Sequence, residues 1–293
     1  MRPPSWTRLG AETLADPFQA ALSQSADLGS GHIVGVQGET GTGRSTFIHG
    51  MQDPILYINT DLNAKHAKKY HPDAKVAYAN LPLLVTEETT MEQRRTLYKK
   101  LMVVWNGFLQ NKPYQGIDPT TGEIVEEPFK SIGWDTHMGL WDFIYPLKVD
   151  EALSRKSAAA QSKGAGPLDF RDANAWMWGL KDAQKTFRPE TTMAFILGEE
   201  VEYVPDPNNP NFRIPDPRGK VKANGWKNTK TCCDAYIRLY RVLKGVDRDG
   251  GEKSNVRYGK LLKFSPDETY VTTTPAISEP IWADLAEMFD ATR

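Results

Sequence analysis

The stretch Gly38-Glu39-Thr40-Gly41-Thr42-Gly43-Arg44-Ser45-Thr46 constrains this chain more than any other part of it. It fits the phosphate-cradling pattern G-x-x-x-x-G-K-[ST] at every fixed position but one, where Arg44 stands in place of lysine. The apolar run from His32 to Val36 before it predicts a buried strand, and Ser45 to His49 after it predicts the start of a helix. Gly38, Gly41 and Gly43 let the backbone turn tightly, so that successive N–H groups converge on phosphate oxygens at a helix start. The expected ligand is a nucleoside triphosphate, ATP first, with every residue from Gly38 to Thr46 in contact with it. Ser45 is the expected Mg²⁺ ligand, because this hard cation takes a few protein oxygens beside phosphate and water. Arg44 brings a planar, bulky, permanently charged fork where lysine brings a point charge; the expectation is that binding survives and hydrolysis is put in question. The plainer alternative is a glycine-rich turn that binds nothing.

A length of 293 residues allows one large α/β domain or two small ones, and one domain with insertions is the simpler expectation. Formal net charge is −1, so nucleic-acid contact would come from a local patch, not from an overall cationic surface. Cys232 and Cys233 are adjacent, which suits neither an ordinary disulfide nor a C-x-x-C zinc site, and a reducing cytoplasmic setting follows. The opening residues, Met1 to Trp6, hold no apolar signal core. No run approaches the ~20 apolar residues of a membrane span, so a soluble protein with no membrane partner is expected.

Pro54 to Asp61 predicts a second strand, with Asp61 turned toward the ligand crevice. Val76 to Leu84 predicts a third strand. Glu87 to Leu109 predicts a long helix capped by Thr86 or Thr89, with Leu97, Leu101, Val104 and Phe108 on its apolar face. The Asp118-Pro119-Thr120-Thr121-Gly122 turn marks a hairpin insertion over 111–128. Phe129 to Thr136 predicts a strand beside the loop strand. Asp135 at its tip can hold Mg²⁺ through water, although Lys130, Ser131 and Gly133 dilute its apolar character. An aspartate that merely caps the next helix is the alternative.

The small, basic segment 154–169 predicts a mobile loop able to order on a polyanion. Asp169 to Phe187 predicts an amphipathic helix, and Thr191 to Glu200 a strand ending in two acids. Glu199 or Glu200 either senses a γ-phosphate or is a solvated strand end. Pro205 to Pro217 predicts a loop. Arg218, Lys220, Lys222, Lys227 and Lys230, with Trp226 among them, could track a phosphate backbone and stack on a base, or form an ordinary solvated loop. Cys232 to Leu243 and Arg257 to Phe264 alternate like hairpin strands with cationic outer faces, and Ser278 to Phe289 predicts a helix. In outline, 1–30 is a lead-in, 31–200 a nucleotide-binding core, 201–275 the basic loop and C-terminal strands, and 276–293 a terminal helix.

The order of elements resembles the RecA-like P-loop ATPases carried by tailed phages, of the ATP-binding or single-strand-annealing recombination type. The residues that carry the resemblance are Gly38 to Thr46, Ile55 to Asp61, Asp135-Thr136, and Cys233 to Leu239, within a span from Ile33 to Phe264. It implies an α/β core with a mostly parallel sheet flanked by helices, and ATP bound with Mg²⁺ between subunits of a ring or filament. It also implies a grip on single-stranded DNA governed by nucleotide state, in the host cytoplasm. Arg44 and Ser45 would bind phosphates and Mg²⁺, and Asp135 would be the second metal acid. Glu92, in Thr90-Met91-Glu92-Gln93, is similar to the run that holds the water-activating glutamate of bacterial recombinases, with Glu87 and Glu88 as rivals. Glu92 also reads as a first-turn acid stabilised by a helix dipole. Two departures stand out: Arg44 itself, and Gly198-Glu199-Glu200 where an amide or histidine is expected. A nucleotide-binding assembly or regulatory protein with little turnover is the second reading. A small-molecule phosphoryl transferase, with Arg213 and Arg218 as its sparse arginine pair, is the third.

Overall fold

Strands whose side chains are apolar on both faces need helices on both sides of a sheet, and this chain builds that arrangement. The structure is a computed structural model describing residues 31–60, 64–82, 89–112, 127–157, 161, 166, 170–207, 209–217, 219–246, 252–273, 277–278 and 281–292. The expectations for the lead-in, Asp61, Thr86, Glu87, Glu88, most of the 111–128 insertion, most of the 154–169 loop and Arg218 lie outside the described residues.

The chain opens with β1 (Ile33–Gly38), α1 (Arg44–His49), β2 (Ile55–Asn59), a 3-10 helix (Ala64–Tyr70) and β3 (Val76–Asn80). There follow α2 (Met91–Leu109), β4 (Ser131–Asp135), α3 (His137–Ser154), α4 (Arg171–Phe187) and β5 (Thr192–Val201). Next come β6 (Tyr203–Asp206), β7 (Asn209–Pro215), β8 (Val221–Asn224) and α5 (Thr229–Cys232). The last elements are β9 (Ala235–Val246), β10 (Glu252–Phe264), α6 (Thr269–Thr273), β11 (Ile277–Ser278) and α7 (Ile281–Ala291).

The main sheet runs β11-β10-β9-β1-β5-β4-β2-β3, with β8 pairing onto β5. From β9 to β3 every pairing is parallel, whereas β10, β11 and β8 are antiparallel additions. The α/β class with a mostly parallel sheet and antiparallel C-terminal strands is therefore as expected. One neighbour relation differs: β5 lies between β1 and β4, so Asp135 ends the second strand from β1 and not the adjacent one.

Alternation along each strand sends side chains to two cores. Leu56 and Ile58 of β2 join Trp134, Leu101, Phe108, Phe143 and Trp176 beneath α2, α3 and α4. Ile55 and Tyr57 face the other way, joining Phe47, Ile48, Leu285 and Phe289 beneath α1 and α7. The weak apolar character of β4 has a packing reason. A Cβ on Gly133 would lie 2.4 Å from Ile48 Cγ2, so the glycine admits α1 against the sheet.

Two local expectations are corrected. The long helix starts at Met91, and Thr90 is its cap, closing a reciprocal capping box with Gln93. The proline-rich segment 205–217 is not an open loop; β6 and β7 pair as an antiparallel hairpin, and Arg213 Nη2 donates to the Tyr203 carbonyl at 2.8 Å. Among the described residues no helix is long and apolar enough to cross a membrane.

Gly133→Ala tests the α1–β4 contact: overpacking here is expected to cost about 1–3 kcal/mol in denaturant unfolding. Unchanged stability would show that Ile48 moves aside freely.

Candidate functional site

The loop between β1 and α1 takes its shape from glycine. Gly41 and Gly43 sit at φ +83° and +96°, in the left-handed region. A Cβ on Gly38 would lie 2.5 Å from Thr42 Oγ1. Thr42, itself buried, donates its hydroxyl to the Glu39 carbonyl at 2.7 Å and closes the turn. Positive-φ residues interleaved with ordinary ones aim successive N–H groups toward one side, which is how a backbone anion nest forms. Glu39, Thr40 and Gly41 are exposed, while Gly43, Arg44, Ser45 and Thr46 are half-buried.

Residues expected to act together do meet at the C-terminal edge of the sheet. Ser45 Oγ donates to Asp135 Oδ2 at 2.6 Å. The Tyr57 hydroxyl donates to the same oxygen, a contact that no sequence pattern announced. The Asp135 carbonyl accepts from Thr60 N at 2.6 Å and Thr60 Oγ1 at 2.8 Å, fixing the strand end. Capping the next helix falls to Thr136, whose Oγ1 accepts from Gly139 N at 3.1 Å, which leaves the Asp135 carboxylate aimed at the loop. A hydroxyl paired with a carboxylate in this way is a donor set that suits Mg²⁺, which holds a few hard oxygens directly and others through water.

Arg44 extends toward β5, and its Nη1 donates to the Leu197 carbonyl at 3.0 Å. Glu199, one residue past Gly198, is neither a solvated strand end nor an open sensor, since its side chain is only 2 % exposed. Arg238 of β9 clamps it with Nε at 2.7 Å and Nη2 at 3.1 Å, and Gln37 Nε2 donates to it at 2.9 Å. The Glu199 hydrogen bonds hold the Arg238 guanidinium above its ordinary pKa, with the charge of Glu39 adding to the effect. Tyr236 OH donates to Gln37 Oε1 at 3.0 Å. Glu200 pairs with Lys222 at 3.1 Å. Arg241, also on β9, donates from Nη2 to the Gly41 carbonyl at 2.5 Å. Gln37 went unnoticed in the sequence, and Arg238 and Arg241 read there as cations of a hairpin's outer face; the signal for a place beside the glycine loop was their position on β1 and β9.

Glu92 is not brought to the loop by any described contact. It stands in the first turn of α2 with its side chain 82 % exposed, 3.9 Å from Arg95. His137 follows the site but is fully buried, with Nδ1 on Thr229 Oγ1 at 3.1 Å and its ring against Phe195. Burial pushes its pKa down to about 3, so the imidazole is neutral near pH 7. Trp226 is not a stacking platform either: it is buried, and its Nε1 donates to Asn174 Oδ1 at 2.8 Å. Among the described residues, the aromatic rings exposed nearby in sequence are Tyr203 and Phe212 on the β6–β7 hairpin.

No protein-family profile and no curated protein sequence matches the chain. Among solved structures it is similar to the RadB recombinase, with 12% identity over 85% of this chain and 87% of that one at TM-score 0.36. It is also similar to the flagellar accessory protein FlaH from Methanocaldococcus jannaschii, with 13% identity over 86% and 85% of the two chains at TM-score 0.33. Likeness at this level carries no weight for function; the fold rests on the strand order itself.

The Arg238–Glu199 pair gives a measurable expectation. Arg238→Leu leaves a buried carboxylate without its cation and should cost about 3 kcal/mol, and the Arg238→Leu, Glu199→Leu double variant should recover much of that. Additive losses in the double-mutant cycle would mean the two side chains are not coupled.

Proposed function

We propose that this chain is a RecA-like P-loop ATPase of phage type, which binds ATP with Mg²⁺ in the Gly38–Thr46 loop and acts with single-stranded DNA in recombination or replication. The observation that supports this most is the Ser45 Oγ to Asp135 Oδ2 hydrogen bond at 2.6 Å, which joins the loop to the end of β4 across β5. A glycine cradle, a hydroxyl and a carboxylate at one edge of a parallel sheet are the parts that a magnesium triphosphate needs. The reading treats the chain as one cytoplasmic P-loop domain that assembles with copies of itself into a ring or filament.

The bound magnesium nucleotide supplies the electrophilic phosphorus and the metal charge. The backbone N–H groups of the loop orient the phosphates. Ser45 and Asp135 hold the metal side, Tyr57 fixes the carboxylate rotamer, and Arg44 contributes a fixed positive charge while anchored to Leu197. Glu92, given its exposure and its capping-box turn, serves the helix start in this reading and not the attacking water. Lys220, Lys227 and Lys230 support the DNA arm of the proposal as cations beyond β5, and with Trp226 buried any base stacking falls to Tyr203 and Phe212.

One observation favours the second reading, a nucleotide switch with little turnover: Arg44 directs a donor to a protein carbonyl that a lysine's point charge would not need to hold. Calorimetry with Mg·ATP, followed by turnover with and without single-stranded DNA, separates the two. Expected are heat on ATP binding, turnover raised by DNA, faster turnover in Arg44→Lys, and a loss of about 100-fold in Asp135→Asn. Glu92→Gln should stay within about twofold, as for an exposed helix-start acid. Binding without turnover in both wild type and Arg44→Lys selects the switch, and absence of binding overturns both.

A further inference from the structure

A cavity of about 270 Å³ opens beside the loop, lined on one side by Gly43, Thr46, Phe47 and Gly50. These four recur at the spacing of one helix face, running from the glycine that caps α1 down to the one that ends it. Tyr70 and His71 close the second side, at the end of the 3-10 helix, and Ile281 and Trp282 of α7 close the third. Phe47 and Trp282 meet edge to face, with centroids 5.8 Å apart. Gly50 keeps the floor open, since a Cβ there would lie 3.2 Å from His71 Cε1. The Arg257 guanidinium lies 4.7 Å over the Tyr70 ring.

We propose that this cavity takes the base and ribose of the nucleotide whose phosphates the loop holds, and that it accepts adenine and guanine alike. The inference rests on the nucleotide reading above and extends it to the choice of base. Three observations carry it. The cavity shares Gly43 with the glycine loop, so the two adjoin at the start of α1, within reach of one molecule. Its volume, just under the roughly 300 Å³ at which drug-sized pockets begin, suits a nucleoside. Its walls are rings and aliphatic groups, with the Thr46 hydroxyl, the Tyr70 phenol and the His71 imidazole as the polar side-chain groups. Every base offers a π face to such walls. A site that reads a base by hydrogen bonds rejects the wrong one by roughly 10⁴-fold or more, while an apolar slot separates near-isosteres by about 10- to 200-fold at most.

The test is calorimetry at fixed millimolar Mg²⁺ with ATP, GTP and inorganic tripolyphosphate, on wild type, Trp282→Ala and Trp282→Phe. Expected are ATP and GTP within about fivefold of each other, and tripolyphosphate weaker by about tenfold or more. Trp282→Ala should weaken both nucleotides about tenfold and leave tripolyphosphate unchanged, and Trp282→Phe should keep most of the nucleotide affinity. Tripolyphosphate binding doubles as the check that each variant is folded. Equal binding of ATP and tripolyphosphate would show that the cavity holds no base while the loop still holds phosphate. GTP weaker than ATP by more than about 200-fold, past what an apolar slot separates, would show that hydrogen bonds, not stacking, read the base. Failure of all three ligands on wild type would sink the loop reading and this inference with it.

Discussion

The short helix α1 ties the C-terminal edge of the sheet together, because its side chains reach different strands. Arg44 bonds to β5 at Leu197, Ser45 to β4 at Asp135, and Ile48 packs over Gly133 of β4. His49 holds the Ser45 carbonyl through Nδ1 at 2.8 Å and reaches Tyr78 of β3 through Nε2 at 2.6 Å. Neighbouring strands are about 4.8 Å apart, so β4 is about 10 Å from β1, and α1, packed on the sheet over Gly133, bridges that distance. The site follows from this crossing: with β5 between them, loop and carboxylate meet through α1 and not through strand pairing.

The crossing also explains why an arginine fits where a lysine is usual. A guanidinium carries five N–H donors in a fixed plane, so one can hold the Leu197 carbonyl while others face the loop. The guanidinium lies close over Gly198, where a Cβ would be in van der Waals contact with Arg44 Nη1 at 3.4 Å. The acids after Gly198 have cations of their own. Glu199 is taken by Arg238, and Glu200 by Lys222, so the loop's positive charge has no carboxylate of β5 upon it.

The loop, its flanking strand and helix, the strand ending at Asp135 and the β9–β10 hairpin were legible because each is local: fixed glycine spacing, short apolar runs, alternation. The partners of those residues were not. Tyr57 sits in an apolar run and reads as core, yet its hydroxyl meets Asp135 only because β2 pairs with β4. Glu199 reads as a phosphate sensor or a solvated strand end, yet its side chain is buried, since β9 brings Arg238 beside it from far along the chain. Gly133 looked like a weakness in a strand and is the space that α1 occupies. Such facts depend on strand order, which periodicity does not encode. Glu92 shows the opposite case, a local similarity whose surroundings match a helix start.

Arg241 adds something that no contact with a ligand could. By holding the Gly41 carbonyl, it limits the conformations open to a glycine at positive φ. Ordering one free backbone residue costs about 1–2 kcal/mol of conformational entropy, and glycine loses the most. Under the proposed function, a loop already braced by β9 would give up less of that freedom on taking an anion, and the β9–β10 hairpin would set its readiness to bind.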